Sequence, residues 1–418
     1  MGMDVRRWRI GGSWILAAAM LLCVPPGGCA KRAIDSPPQM VGAPIVRVRL
    51  LESQQSVTLH ATAPPTARTT AGSGSRSVEL PVNTDIPVQL LADGWRVGDT
   101  ALGGGDLLVL PSADGSVSFN GRPYRGTYRL VPVGNGKFDL VNHVDIDSYL
   151  KSVIPREMFP NWHDEAYKAQ SVAARTYALY EVRTASGGKH WDLHPDTRSQ
   201  VYGGFKDESD KARRAVDATS GVVLAYGPAG REKIFKTYFS ACCGGVSQSA
   251  YDAFGDPYIE PLSDQNVGPL CNVAPRFNWG PVVIDKDELT RRIRIWGEQK
   301  GRPEKNIGRV ECIDIQYVNR FGRPIRFIIT DEAGKQYSLG SEETRWACNA
   351  DAPRGSRLNS SFFKTINEPN QIQFVDGHGH GHGAGMCQWC TQVRATRGMP
   401  HETILLRAYP RAVLVRAY

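Results

Sequence analysis

The chain has 418 residues, of which 41% are hydrophobic, 22% charged and 9% aromatic. This composition excludes a wholly disordered or fibrous protein, and the length suggests two or three domains of about 150 residues each. Lys and Arg number 50 against 42 Asp and Glu, a formal net charge of +8, which suits an anionic partner such as cell wall, membrane surface or nucleic acid, and equally a generic basic protein.

The first 28 residues resemble an export signal. Arginines at positions 6, 7 and 9 precede an apolar centre, residues 14–24, that is too short for a comfortable membrane span. Two glycines and Cys29 follow, as at a lipoprotein cleavage site, although Pro26 stands where an aliphatic residue is usual. We expect an exported envelope protein, anchored in the membrane by a lipid on Cys29. Ordinary secretion and a retained signal anchor are the alternatives.

A tether is predicted for residues 29–44, followed by a β-rich part over residues 45–141. Apolar and polar residues alternate there in short segments bounded by turn residues, which predicts strands. The predicted strands are residues 45–51, 56–60, 88–91, 107–110, 117–119 and 128–131. Residues 63–77, rich in Pro, Gly, Ser and Thr, are predicted as a flexible loop.

The pattern changes at Asn142, where the predicted core, residues 142–418, begins. Apolar residues three and four positions apart, behind the capping candidates Asp145 and Asp147, predict a short helix that ends at Pro155. A longer helix, with small residues along one face, runs up to Gly187 and Gly188. Further short helices are predicted near residues 207–217, 286–297 and 388–408. The expected fold class is α+β, with a β-rich N-terminal part before a mixed α/β core.

Glu157 is a candidate acid, since it stands in the predicted break between these two helices beside apolar neighbours. Burial beside apolar groups favours the neutral carboxyl group, which can then donate a proton near neutral pH. The alternative is a surface loop residue or a cap of the following helix.

A repeat of Gly and His at residues 377–383 is the second candidate. In a strand, His378, His380 and His382 would face one side, as metal ligands do, whereas a Gly-rich loop allows close backbone approach instead. Cys387 and Cys390 suit a redox pair, half of a metal site or a disulfide, and Cys387 with His382 suits a thiol nucleophile and its base.

Cys242 and Cys243, in a turn of small residues, are the third candidate. Such a turn can cradle a substrate, join Cys387 and Cys390 at a zinc ion, or pack its cysteines as small hydrophobic residues.

In their order and wording, several segments resemble the SpoIID/LytB family, named for stage II sporulation protein D. The matching segments are residues 145–158 (DIDSYLKSVIPREM), 165–178 (EAYKAQSVAARTYA), 196–204 (DTRSQVYGG), 240–245 (SACCGG), 381–389 (GHGAGMCQW) and 402–410 (ETILLRAYP). The resemblance covers about residues 45–418, and is strongest over residues 142–250 and 374–410.

The resemblance implies a lytic transglycosylase that cleaves the MurNAc–GlcNAc bonds of peptidoglycan strands and leaves 1,6-anhydro-MurNAc ends. It implies Glu157 as the general acid and base, and Arg175, Ser240, His382 and Gln388 as residues that organise the site or bind glycan. The expected partners are peptidoglycan strands, a cell-wall amidase and the membrane, not nucleic acid.

Two other functions remain open at this point. A non-catalytic, glycan-binding enhancer of a cell-wall amidase is the alternative within the family, and it would tolerate Glu157→Gln. A metal- or thiol-dependent hydrolase using the three histidines and Cys387 is the alternative that the residues alone suggest.

No cofactor is expected. Some sporulation members of the family hold zinc with Cys and His just after the long helix, but the corresponding residues 190–200 contain no Cys, and Ser199 stands where a ligand Cys would be. Zinc remains an alternative at a cluster of Cys242, Cys243, Cys387 and Cys390. Cys271 with Cys348 is the preferred structural disulfide.

Overall fold

The structure is a computed structural model that describes residues 42–70, 77–185 and 187–418. The predicted signal peptide, Cys29 and most of the predicted tether lie outside the described residues, so export and lipidation stay predictions. Among the described residues, no helix combines the length and the apolar character needed to cross a bilayer.

Two antiparallel sheets form the N-terminal part. Their strands are β1 (Ile45–Gln54), β2 (Ser56–Ala61), β3 (Thr66–Thr69), β4 (Ser77–Glu79), β5 (Asp85–Leu91), β6 (Gly94–Val97), β7 (Thr100–Leu102), β8 (Leu107–Leu110), β9 (Val117–Phe119), β10 (Arg122–Tyr124), β11 (Thr127–Gly134) and β12 (Lys137–Asp145). The strand orders are β1-β12-β11-β8-β3-β4 and β10-β9-β2-β5-β6-β7. Alternate side chains of each strand point inward. Trp95 of one sheet and Phe138 of the other meet edge to face in the shared core.

After β12, the described residues contain eight α-helices and thirteen further strands. The helices are α1 (Ile146–Glu157), α2 (Asp164–Thr184), α3 (Asp210–Ala218), α4 (Ala250–Phe254), α5 (Lys286–Gln299), α6 (Ser341–Asn349), α7 (Gln388–Thr396) and α8 (His401–Ala408). The strands are β13 (Val222–Tyr226), β14 (Lys233–Ile234), β15 (Phe239–Ser240), β16 (Asn278–Trp279), β17 (Val282–Asp285), β18 (Val310–Val318), β19 (Pro324–Asp331), β20 (Gln336–Gly340), β21 (Lys364–Asn367), β22 (Gln371–Val375), β23 (Gly377–His378), β24 (Met386–Cys387) and β25 (Val413–Arg416). Short 3-10 helices lie at Phe205–Asp207, Glu260–Leu262, Gly268–Cys271, Pro303–Asn306 and Arg354–Ser356.

Helix α2 is the centre of the mixed core. It packs against α1, α3, α7, α8 and β13, and its residues from Ala169 to Leu179 are all buried. Four of those residues are alanines, whose small side chains let neighbouring elements approach from several sides. The sequence predicted one packed face for this helix, but over residues 169–179 the helix is packed on all of its sides.

Residues 278–375 form a separate layer with its own core. Strands β17-β22-β21 and β18-β19-β20 make two three-stranded sheets that pack with α5 and α6 around a shared hydrophobic cluster. The chain then returns, so that β24 pairs in parallel with β15. This return brings two distant segments together next to α1.

The expected α+β class is confirmed, with antiparallel sheets before a mixed α/β region. The boundary prediction at Pro155 was wrong, because α1 continues through Glu157. Proline removes the hydrogen bond to the carbonyl group four residues earlier, but its fixed φ is compatible with helical geometry, so it does not have to end the helix. The loop predicted over residues 63–77 contains β3, and the helix predicted near 388–408 is two helices, α7 and α8.

Candidate active site

Glu157 is the last residue of α1 rather than part of a loop. Asp145 caps the start of this helix by accepting a hydrogen bond from the Ser148 amide at 2.8 Å. The helix ends as Met158 becomes extended. Glu157 is half-buried, whereas its neighbour Arg156 is exposed, so α1 presents this carboxyl group at its C-terminal end.

The surroundings of Glu157 favour its neutral form. Burial raises the pKa of its carboxyl group above the usual value, and hydrogen bonds from the Val201 amide and the Gln388 side chain oppose that rise. Because burial has the larger effect, the group keeps its proton to higher pH than a free Glu. A carboxyl group in this state can act first as an acid and then as a base.

Two buried glutamines hold the end of α1. Gln388 Nε2 donates to the Glu157 carbonyl oxygen at 3.2 Å and to Gln170 Oε1 at 3.4 Å. Gln170 is fully buried in α2, and its own Nε2 has no hydrogen-bond partner. Sequence reasoning missed Gln170; the signal was a single amide among the alanines of α2.

Three aromatic side chains form a ledge beside Glu157; we call Phe159, Trp162 and Trp389 the aromatic ledge. Their ring centroids lie 4.9 to 5.9 Å apart. Trp162 is buried, while Phe159 is 53% exposed. Phe159 exposes this apolar surface to solvent two residues after Glu157 in the chain.

Ser240 reaches the same region through the pairing of β15 with β24. It pairs with Cys387, the residue before Gln388, and the Trp389 amide donates to the Ala241 carbonyl at 3.1 Å. Ser240 is 7% exposed. The structure thus connects the segments around Glu157, Ser240 and Gln388, which lie far apart in sequence.

His382 is held as a neutral ring. Its Nε2 lies 2.8 Å from the Phe239 carbonyl oxygen and its Nδ1 accepts from the Ala384 amide at 3.1 Å. Since a carbonyl can only accept, the proton resides on Nε2. Burial lowers the pKa of His382 to about 4. Both ring nitrogens are used by the protein, so the ring holds the loop of residues 377–387 in position.

The three histidines do not converge on one metal ion. Strand β23 covers only Gly377–His378, and the alternating glycines that follow have positive φ, so the expected one-sided strand is absent from these described residues. At Gly379, with φ of +80°, a Cβ atom would lie 2.6 Å from the Cys242 carbonyl oxygen. The repeat is the Gly-rich loop of close backbone approach that was the alternative.

Arg175 is enclosed between helices, away from solvent. Its guanidinium donates to Asp147 at 2.9 Å and to the carbonyl oxygens of Val216 and Val222 at 3.1 and 3.2 Å. The residue is 0% exposed. In this structure Arg175 ties α1, α2 and α3 together and makes no surface for a glycan.

The expected disulfide between Cys271 and Cys348 is wrong for this structure, in which both are free thiols. Cys348 is buried with α5 and α6 in the core of residues 278–375. Cys271 instead lies with Cys243, Cys387 and Cys390. Cys271 thus joins the expected thiol cluster, and Cys242 packs in the same cluster with its thiol beside those of Cys271 and Cys387.

A cleft with a volume of about 1430 Å³ is lined in part by His380 and His382. Basic side chains outnumber acidic ones along it, and they include Arg276, Arg345 and Arg357. Glu157 is not among the residues that line this cleft.

Residues 134–226 match the family model described as "Stage II sporulation protein" (SpoIID). The chain contains a SpoIID family domain. The matched residues run from the end of β11 to β13, so the SpoIID domain includes both Glu157 and Arg175. The resemblance drawn from the sequence motifs is confirmed.

The matches to curated relatives extend beyond the SpoIID domain. An uncharacterized protein of Brachyspira hyodysenteriae is 38% identical over 154 residues, 36% of this chain and 40% of the relative. A Bacillus subtilis protein named "Amidase enhancer" is 24% identical over 345 residues, 74% of this chain and 47% of the relative. An uncharacterized protein of Chlamydia muridarum is 30% identical over 151 residues, 33% and 52%. The chain thus spans about half the length of the curated relatives it matches.

The segment where some sporulation members hold zinc is occupied by other interactions in this SpoIID domain. His190 Nε2 lies 2.9 Å from Asp139 Oδ2, and the ring of His194 packs on Trp191. Ser199 accepts a hydrogen bond from the His194 amide at 3.2 Å through its hydroxyl oxygen. These side chains do not fit a zinc site of that kind.

Replacing Gln388 by Leu should move the pH dependence of the SpoIID site. The Gln388 side chain lowers the pKa of Glu157. Loss of this side chain therefore raises that pKa, and any activity that needs protonated Glu157 should persist to higher pH. Loss of positioning should also lower kcat by about 10- to 100-fold. The measurement is a pH–rate profile, with Gln392→Leu on the same helix as control, since Gln392 bonds the His163 amide instead. An unshifted profile would contradict a role for Gln388 at Glu157.

Proposed function

We propose that this protein is a peptidoglycan lytic transglycosylase of the cell envelope, with Glu157 as general acid and base. The observation that carries the proposal is the half-buried Glu157 carboxyl group with a raised pKa, held by Gln388 beside the aromatic ledge. The SpoIID domain and the likeness to a protein named for amidase enhancement support a role at the cell wall.

The reaction needs one carboxyl group that changes role. Neutral Glu157 gives its proton to the oxygen between MurNAc and GlcNAc as the bond from that oxygen to MurNAc C1 breaks. The resulting Glu157 carboxylate then takes the proton of the MurNAc 6-hydroxyl, whose oxygen bonds to C1 and closes the 1,6-anhydro ring. Glu157 ends protonated, ready for another cycle, and no water is consumed. A hydrolase would instead need a second carboxylate to activate water or form a covalent intermediate.

Product analysis tests this proposal. Glycan strands stripped of stem peptides are incubated with the purified protein, and the new ends are identified by mass spectrometry. We expect 1,6-anhydro-MurNAc ends. Reducing ends would mean hydrolysis and would overturn the proposed chemistry.

The second candidate is a non-catalytic enhancer of a cell-wall amidase, favoured by the printed name of the Bacillus subtilis relative. It predicts glycan binding without new ends, and stimulation of an added amidase that survives Glu157→Gln. Stimulation that disappears in that variant, together with anhydro products from the original chain, would contradict this candidate.

The aromatic ledge should contribute to glycan binding. Phe159→Ala removes the exposed member of the ledge, and we expect glycan affinity to fall about 3- to 10-fold, the value of one aromatic contact. Because Phe159 is 53% exposed, the free energy of unfolding should change little. Binding titrations with glycan strands give the measurement, with Phe321→Ala, in the turn between β18 and β19, as control. If Phe159→Ala and Phe321→Ala bind glycan equally well, the aromatic ledge is not part of the binding site.

A further inference from the structure

Four cysteines from three separate segments meet beside the candidate active site; we call Cys243, Cys271, Cys387 and Cys390 the thiol cluster. All four are buried, and their sulfur atoms lie within 4.8 Å of one another. Apolar side chains, including Phe277 and the ledge residue Trp389, pack around them. The cluster plays no part in the proposed sugar chemistry.

The spacing of the sulfurs suits a single tetrahedral ion. Cys243 Sγ lies 3.6 Å from Cys271 Sγ and 3.9 Å from Cys390 Sγ. Zinc bound to four thiolates at about 2.3 Å requires sulfurs about 3.8 Å apart. A disulfide needs about 2.05 Å. Clusters with several irons attach their cysteines to different metal ions, so their sulfurs are spread too widely for every pair to lie within 4.8 Å.

Backbone groups around the cluster suit thiolates. The amides of Cys243 and Cys390 point at Cys387 Sγ, with nitrogen–sulfur distances of 3.3 and 3.4 Å. Such outer contacts orient a metal ligand and stabilise its negative charge. The two-residue spacing of Cys387 and Cys390 is also that of zinc-binding cysteine pairs.

A buried arginine supplies positive charge next to the cluster. Four thiolates and one divalent ion leave two negative charges, which burial would penalise without compensation. The guanidinium of Arg323, 1% exposed, donates to the carbonyl oxygens of Cys243 and Val246 at 3.0 and 2.7 Å. Its Nε has no hydrogen-bond partner. The buried Glu342 also favours the charged form of this guanidinium, and an anionic cluster would add to that stabilisation.

We propose that Cys243, Cys271, Cys387 and Cys390 bind one Zn²⁺ ion as four thiolates. Binding releases the four thiol protons to solvent and involves no oxidation or reduction. The ion joins the turn after β15, the short helix Gly268–Cys271 and the start of α7.

The site has a consequence for the proposed function, and this part rests on that function. The two residues between Cys387 and Cys390 are Gln388, which bonds Glu157, and Trp389, which belongs to the aromatic ledge. Zinc would therefore act as a positioning element for both residues and would take no part in bond breaking.

Metal analysis of the full-length protein tests the site without reference to activity. We expect about one zinc per chain, and at least about tenfold less in Cys271→Ser. Cys348→Ser is the matched control, because Cys348 is also a buried free thiol but belongs to another core. Retention of zinc in Cys271→Ser, or its absence from the original chain, would overturn the proposal.

A second measurement on the unmodified sequence covers the case in which Cys271→Ser fails to fold. Protein produced with Co²⁺ should show the intense visible absorption of cobalt in a tetrahedral site of four thiolates.

Alkylation after unfolding in chelator should modify all seven cysteines of the described residues. Four that react only after reduction would reveal two disulfides, and iron at one per chain would reveal a different metal; either result overturns the proposal. An inactive protein with zinc bound would contradict the proposed function alone.

Discussion

Glu157→Gln should abolish formation of 1,6-anhydro ends, with a loss of about 10²- to 10⁴-fold in kcat. The amide keeps the shape of the side chain but can neither give the proton to the glycosidic oxygen nor accept one from the 6-hydroxyl. Glycan affinity should stay close to that of the original chain, because the aromatic ledge is unchanged. The measurement is a time course of anhydro-MurNAc ends, paired with a binding titration.

Stability provides an internal control for this variant. Since burial raises the pKa of Glu157, the folded chain holds a proton that the unfolded chain has released between the two pKa values. The group's contribution to stability is thus complete below the unfolded pKa and is lost as pH rises through the folded pKa. Glu157→Gln should remove this dependence and be no less stable than the original at neutral pH. The control Glu298→Gln, exposed on α5, should change neither property, and full activity of Glu157→Gln would contradict the assignment.

Arg175→Met should destabilise the fold by about 3–5 kcal/mol, because it leaves a partly buried Asp147 without its cation. Asp147 is 13% exposed in its side chain, and Arg175 0%. The remaining donors to this carboxylate, the hydroxyl groups of Ser220 and Tyr418, carry no charge. Urea unfolding gives the measurement.

A double variant separates a structural role of Arg175 from contact with glycan. Adding Asp147→Asn to Arg175→Met removes the unpaired charge and should recover part of the lost stability. Arg291→Met, at an exposed ion pair on α5, should cost at most about 1 kcal/mol. If Arg175→Met unfolds at the original urea concentration but binds glycan poorly, Arg175 is a ligand-binding residue and the buried arrangement is wrong.

The sequence predicted the N-terminal strands better than the ends of the helices. Period-two alternation over residues 45–51 and 56–60 identified β1 and β2, since one face of each is buried. Strands such as β3 are too short to show a period among Thr, Ala and Arg. Pro155 was over-interpreted, because a proline costs a helix one hydrogen bond without necessarily ending it.

The parts of the site that were missed depend on contacts between distant segments. Cys271 has no neighbouring cysteine in sequence, so nothing local marks it as a partner of Cys387 and Cys390. Burial of Arg175 was likewise invisible, because its partners Asp147 and Val216 come from other helices. A motif shows that a residue is required, but only the fold distinguishes a residue that touches a ligand from one that holds a helix.

The junction between β12 and α1 contains no linker. Strand β12 ends at Asp145, which also caps α1, and Asp145 pairs across the sheet with Ile45 of β1. The ion pair between Arg47 of β1 and Asp192 connects β1 to the mixed core. The sheets and α1 should therefore tumble with one rotational correlation time in ¹⁵N relaxation measurements. A force applied to the chain at Ile45 would therefore reach α1, the helix that ends at Glu157, through the Ile45–Asp145 pair at the end of the β1–β12 ladder.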